Sequence, residues 1–112
     1  MMMRLRVAWN AVYLGIAAAA KGGVAAITRS MAVEFAPQRV RVNAIAPSAT
    51  MTDRVRGRLE AGNSRVTKLA AAHLLGLIEP EDIANKAVFL ASEESRMVTG
   101  HVYPVDSGVT IS

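Results

Sequence analysis

The sequence predicts an α/β chain built around parallel strands. Three patterns carry that reading. Apolar residues recur at helical spacing over residues 17–36. An alternating stretch over residues 39–46 turns continuously apolar before a proline. The helix-then-strand order then repeats over residues 80–91 and 101–105, the rhythm of helices covering a parallel sheet. Two strands do not complete such a sheet, which needs several strands and both faces covered. The expected architecture is therefore a portion of a larger one.

Each element has its own signal. Val24, Ile27, Thr28, Met31 and Phe35 fall on one helical face behind the alanine run 17–20, and Pro37 stops the helix. Arg39-Val40-Arg41-Val42 alternates, then Asn43-Ala44-Ile45-Ala46 runs into Pro47, which reads as a strand buried toward its end. Residues 47–75 mix Thr, Gly, Arg and small residues, and are expected to be irregular and mobile with one short helix. Glu79-Pro80-Glu81-Asp82 opens a second clear helix, with proline and acids suited to a first turn. Ile83, Ala87, Leu90 and Ala91 form its apolar stripe, and Gly100 introduces the last short strand.

Composition narrows the function classes. The 112 residues are 52% hydrophobic, 20% charged and 4% aromatic, which suits one modest folded domain rather than a disordered chain. No apolar run reaches the ~18 residues of a membrane span. With no cysteine, disulfides, Cys-ligated zinc and thiol catalysis are excluded. Arg4 and Arg6 before an apolar stretch superficially resemble a leader, but the pattern continues straight into an amphipathic helix. A cytoplasmic protein without a membrane partner is expected. Residues 1–78 carry 11 basic and 3 acidic side chains, against 2 and 6 in residues 79–112. Arg54, Arg56, Arg58, Arg65 and Lys68 form the basic cluster behind that asymmetry. It lacks interleaved aromatics for base stacking, so a solvated face is expected and no nucleic-acid partner.

The order and spacing of several motifs then resemble one family. They are Lys21-Gly22-Gly23-Val24, Thr28 to Pro37, Arg41-Val42-Asn43-Ala44-Ile45-Ala46-Pro47, Glu79 to Ala84, Val88 to Ser95, and Thr99-Gly100. Together they resemble the short-chain dehydrogenase/reductase family over residues 17–108, with residues 1–16 unmatched, in one partial domain. The resemblance implies the C-terminal portion of a Rossmann-like, doubly wound parallel sheet. It also implies an NAD- or NADP-dependent oxidoreductase moving hydride between the cofactor and an alcohol or carbonyl. No Gly-rich phosphate turn follows a strand in these residues.

The family's acid–base pair is Tyr-x-x-x-Lys, whose i, i+4 spacing puts both side chains on one helix face. Lys21 matches the lysine, but Ala17 stands at the tyrosine position and has no proton to give. Tyr13 would lie roughly 80° around and ~12 Å along an ideal helix from Lys21, too far to replace it. The family's serine would fall near residues 1–10, which do not match. Lys21, Pro47, Ser48, Thr50 and Thr52 are the cofactor-side candidates, the last four resembling the family's Pro-Gly-x-x-x-Thr turn with Ser48 at the usual glycine. The two threonines could equally cap the next segment. Asn43 is expected to tie strand to loop, Asp106-Ser107-Gly108 to form a structural turn, and His73 and His101 to be isolated surface residues. Inactivity of the isolated chain is expected, with a non-catalytic oligomerising remnant of the family as the alternative. Unpaired sheet edges and apolar faces point to self-association.

Overall fold

The computed structural model describes the backbone of residues 2–112 and the side chains of residues 17–112. The readings on residues 1–10 and on the Tyr13 side chain lie outside the described residues. Two units are distinguished, Met1–Ala44 with Thr99–His101, and Ile45–Val98 with Val102–Ser112.

The first unit is dominated by α1, Met2–Phe35. The helix starts well before the expected residue 17, because its beginning was inferred from apolar periodicity and the alanine run 17–20. Leu, Arg, Ala and Met, all good helix formers, populate the preceding stretch. Pro37 ends it as expected, inside a 3-10 helix, Ala36–Gln38, and Arg39 then takes a left-handed φ of 59°. A second difference concerns the strand expected over residues 39–46, which is confined to β1, Ala44–Pro47: Arg39 still belongs to the turn after α1, and the parallel pairing begins only at Ala44. Val42 is nonetheless tied down: its N–H donates to Thr99 Oγ1 at 3.0 Å and its carbonyl accepts from Gly100 N–H at 2.7 Å. Gly100 has a φ of +78°, which favours glycine, although a Cβ there would make only ordinary contact with Ala32 at 3.4 Å. The apolar face read from the sequence splits in this unit. Thr28 and Ala32 are buried, Met31 and Phe35 are half-buried, and Val24 and Ile27 remain 54% and 56% exposed.

In the second unit, β1 pairs with β2, Val102–Val105. Ser48 N–H donates to the Val105 carbonyl at 3.1 Å, and at the margin of the first unit Ala44 N–H donates to the His101 carbonyl of that same unit at 2.9 Å. Both partners advance in the same direction, so the strands are parallel neighbours, as the sequence predicts. Residues 47–75 are more ordered than expected. They hold α2, Asp53–Glu60, and α3, Ser64–Ala72. Thr52 Oγ1 accepts from Val55 N–H at 3.4 Å and Asn63 Oδ1 from Val66 N–H at 3.2 Å, two N-caps that start short helices where periodicity is weak. The basic side chains Arg54, Arg56, Arg58, Arg65 and Lys68 are exposed on these helices.

Helix α4, Pro80–Ala91, has the expected bounds. Asp82 Oδ2 accepts from Glu79 N–H at 2.9 Å across its first turn. The Lys86 ammonium sits 4.7 Å above the Tyr103 ring and 5.5 Å from the centre of Phe89, linking α4 to β2. A 3-10 helix, Glu93–Ser95, follows α4. Ser95 is fully buried, its hydroxyl directed at the carbonyls of Leu90 at 2.9 Å and Ser92 at 3.1 Å. These bonds occupy carbonyls that a helix end leaves without intrahelical partners. Among the described residues, no helix is long and apolar enough to cross a membrane.

Candidate cofactor-side site

Lys21 lies in the first unit, where α1 is continuous through residues 17–21. One helical turn before the exposed Lys21 stands the half-buried Ala17. An unbroken helix fixes these two positions on one face, so the side chain one turn below the lysine is a methyl group.

Pro47, Ser48, Thr50 and Thr52 belong to the second unit, on the segment leaving the C-terminal end of β1. Loops at the carboxyl ends of parallel strands are where open α/β sheets bind ligands. Pro47 is exposed and Ser48 half-buried. Thr50 forms a parallel bridge with the buried Ile78, whose carbonyl accepts from Met51 N–H at 2.7 Å. Thr50 Oγ1 donates to the Ser48 carbonyl at 3.0 Å, and the Thr50 carbonyl accepts from Thr52 N–H at 2.8 Å. The turn is thus closed on itself and stitched to Ile78.

The two threonines divide their roles. Thr52 caps α2, as the capping alternative holds, whereas Thr50 caps nothing and braces the turn. A primary carboxamide needs both a hydrogen-bond donor and an acceptor. Thr50 Oγ1 spends its proton on Ser48 and keeps lone pairs. Thr52 Oγ1 accepts from Val55 and keeps its proton. One hydroxyl is thus left with acceptor capacity and the other with a donor.

His73 corrects the expectation of a surface residue, being only 4% exposed. It follows α3 as its C-cap, and its ring turns back so that Nδ1 lies 2.6 Å from the Leu69 carbonyl. Its Nε2 lies 3.0 Å from Ser48 Oγ. The contact spans 25 residues, and no local pattern announces it. His101 is exposed, as expected.

The remaining candidates are structural. Asn43 Oδ1 accepts from His101 N–H at 3.3 Å, tying the residue before β1 to the residue before β2. Asp106 anchors the expected turn. Its carboxylate accepts from Gly108 N–H at 3.1 Å, Thr110 N–H at 3.3 Å and the Thr110 hydroxyl at 2.5 Å. The Thr110 hydroxyl above all, then the Gly108 amide, holds this carboxyl below its ordinary pKa. Ser107 and Gly108 both have positive φ, 51° and 78°. Ser107 accepts from Leu74 N–H through its carbonyl and from Leu75 N–H through Oγ, each at 2.8 Å. A nearby cavity of about 280 Å³ is bounded by Ile78, Val105, Asp82 and Ser107. The last two accept backbone N–H groups.

Comparison with known proteins bears on this geometry. The family model described as enoyl-(acyl carrier protein) reductase matches residues 3–110. Inactive 2-(S)-hydroxypropyl-CoM dehydrogenase 2 of Xanthobacter autotrophicus is 41% identical over 97 residues, covering 82% of this chain and 42% of that protein. A putative 2-deoxy-D-gluconate 3-dehydrogenase from Agrobacterium tumefaciens, solved with bound NADP, superimposes with a TM-score of 0.71 at 35% identity. The match covers 84% of this chain and 38% of that one. A 4-hydroxyisoleucine dehydrogenase mutant complexed with NADH and succinate gives a TM-score of 0.74 at 28% identity, covering 84% and 39%. The chain spans less than half the length of the curated relatives it matches. The two solved neighbours are named as dehydrogenases, and the parallel sheet is a portion of their Rossmann fold.

Proposed function

This chain belongs to the short-chain dehydrogenase/reductase family, and on that footing we propose that Pro47, Ser48, Thr50 and Thr52 are the nicotinamide-side turn of an NAD- or NADP-dependent oxidoreductase, and that Lys21, in the other unit, is the family's lysine. The polypeptide of these 112 residues does not itself turn over an alcohol or carbonyl. The observation that carries the second statement is the unbroken helix through Ala17 and Lys21. With register fixed, no neighbouring phenol occupies the tyrosine position to exchange a proton with the substrate oxygen. The name of the Xanthobacter relative, an inactive dehydrogenase, supports a family member that has lost turnover.

A bound nicotinamide supplies the hydride acceptor or donor. The chain's own residues bind and orient. Thr50 Oγ1, with lone pairs left, would accept from the carboxamide and Thr52 Oγ1, with its proton left, would donate to it, while Pro47 and Ser48 set the turn that carries them. The Lys21 ammonium offers hydrogen-bond donors and a positive charge to hydroxyl groups. In a complete site that charge favours a neighbouring phenolate; here it meets a methyl group.

The test joins residues 17–112 to the nucleotide-binding half of an active relative, with and without Ala17→Tyr. Nucleotide binding is expected in both, weakened by Thr50→Val, and turnover only with the tyrosine. Turnover without it, or binding indifferent to Thr50, contradicts the proposal.

The exposed Val24 and Ile27 of α1 favour a companion reading, that the chain self-associates through this face. Burying either side chain is worth about 1.5–3 kcal/mol. Ile27→Glu should shift a sedimentation profile toward the monomer. An unchanged profile removes α1 from any interface.

A further inference from the structure

We infer that His73 is a positioning residue: its buried imidazole holds the Ser48–Thr52 turn in place by accepting the Ser48 hydroxyl proton. Three observations lead there. The Leu69 carbonyl, 2.6 Å from Nδ1, can only accept. In the neutral ring it therefore fixes the proton on Nδ1 and leaves Nε2 as a bare acceptor. Ser48 Oγ, 3.0 Å from that nitrogen, is the donor it meets. The ring is 4% exposed, so water is a poor substitute for either partner, and an unmatched ring nitrogen would cost free energy.

The placement gives the bond a consequence. Ser48 stands where the family resemblance has glycine, the most conformationally free residue. A glycine there has no side chain with which to be held. In this chain the turn is fixed at one end by Ser48 N–H on the Val105 carbonyl and at the other by Met51 N–H on Ile78. The His73 bond adds a third fixed point, and it comes from α3. Movement of α3 is thereby transmitted to the turn that carries Thr50 and Thr52. The relevance of that coupling to nicotinamide rests on the function proposed above. The coupling itself does not.

The experiment uses the 112-residue protein without cofactor. In its ¹⁵N spectra, His73 is expected as the Nδ1–H tautomer. Hydrogen exchange at the Ser48 and Met51 amides should quicken by roughly three- to tenfold in Ser48→Ala, the fold-change corresponding to one hydrogen bond. The same change is expected in His73→Phe, with no further increase in the double variant. Ser48→Thr, which keeps the hydroxyl, should restore slow exchange. If His73 merely fills space, Ser48→Ala leaves exchange unchanged, or the two single effects add; either result overturns the inference, as does an Nε2–H tautomer. Should His73→Phe fail to fold, the tautomer and the Ser48→Ala and Ser48→Thr pair still decide it. Failure here leaves the proposed function standing, and failure of the nucleotide-binding test leaves this coupling standing.

Discussion

Installing a phenol one turn before Lys21 makes a sharp test of what the helix surface can do. In Ala17→Tyr, the new side chain shares a face with Lys21, because α1 is continuous there. Lys21 is exposed and residue 17 half-buried, so their interaction lies between the bulk-water and near-surface limits. At 4 Å those limits are about 1 and 4 kcal/mol. At a more open spacing of about 6 Å they fall to roughly 0.7 and 3 kcal/mol. Exposure favours the weak end, a downward shift of the phenol of about 0.5–1 pKa unit at 1.36 kcal/mol per unit. Bringing a phenol from near 10 to neutrality takes about 3 units. The isolated chain should therefore show a perturbed tyrosine and no turnover. Ultraviolet titration of phenolate, comparing Ala17→Tyr with the Ala17→Tyr, Lys21→Met double variant, isolates the lysine's share. A lysine-dependent shift of 3 units would refute the exposed placement of this pair. Alcohol oxidation by the single variant, with NAD or NADP, would refute the assignment of the missing function to the rest of a family domain.

Three stability predictions follow from local geometry. Gly108→Ala should destabilise by about 2–3 kcal/mol, combining left-handed strain of ~1–2 kcal/mol with displacement of Leu74, whose Cδ1 would lie 2.7 Å from the new Cβ. Gly62→Ala has a similar φ of +70° but open space, so urea unfolding should show the smaller loss; equal losses would dismiss the Leu74 contact. Ser95→Ala should cost about 1–3 kcal/mol by removing the donor to Leu90 and Ser92, and a midpoint unchanged in urea would contradict that. Because the Asp106 pKa is lowered on folding, chiefly by the Thr110 hydroxyl, its contribution is present above the unfolded carboxyl's pKa. It is lost as pH falls through the lowered folded value. Asp106→Asn should flatten the acid limb of stability against pH, and superimposable limbs would exclude the role.

Much of the fold is legible where several local signals agree. Helix α4 announces both ends, through Pro80 with its acidic first turn and through exhaustion of the apolar stripe at Ala91. The end of α1 is equally plain at Pro37. Elsewhere a single cue misleads. Alternation over Arg39–Val42 looks like a strand, yet Arg39 is part of a turn and the paired strand is Ala44–Pro47, because alternation does not tell where a partner strand begins. Of the caps that open the short helices α2 and α3, only Thr52 was singled out in the sequence and Asn63 was not; periodicity was silent because eight or nine residues present little more than two turns to any face. Within the candidate site, motif spacing located Lys21 and the turn after β1. The His73–Ser48 bond was illegible because it depends on where α3 ends in space. The unexpected exposure of Val24 and Ile27 has the same origin. Periodicity says which residues share a face, not which part of that face a neighbour covers.

The parallel pairing of β1 with β2 has a consequence for how the molecule is made. Val42 meets Thr99 across 57 residues, and Asn43 meets His101 across 58. Closing a flexible loop of that length costs on the order of 3–4 kcal/mol of chain entropy before additional contacts compensate. High contact order of this kind slows folding. Helix α4, whose bonds are local, can form while the strands are still apart. On a ribosome adding about 5–20 residues per second, roughly 3–12 seconds separate the synthesis of β1 from that of β2. During that interval the edge of β1 that pairs with β2 is unmatched.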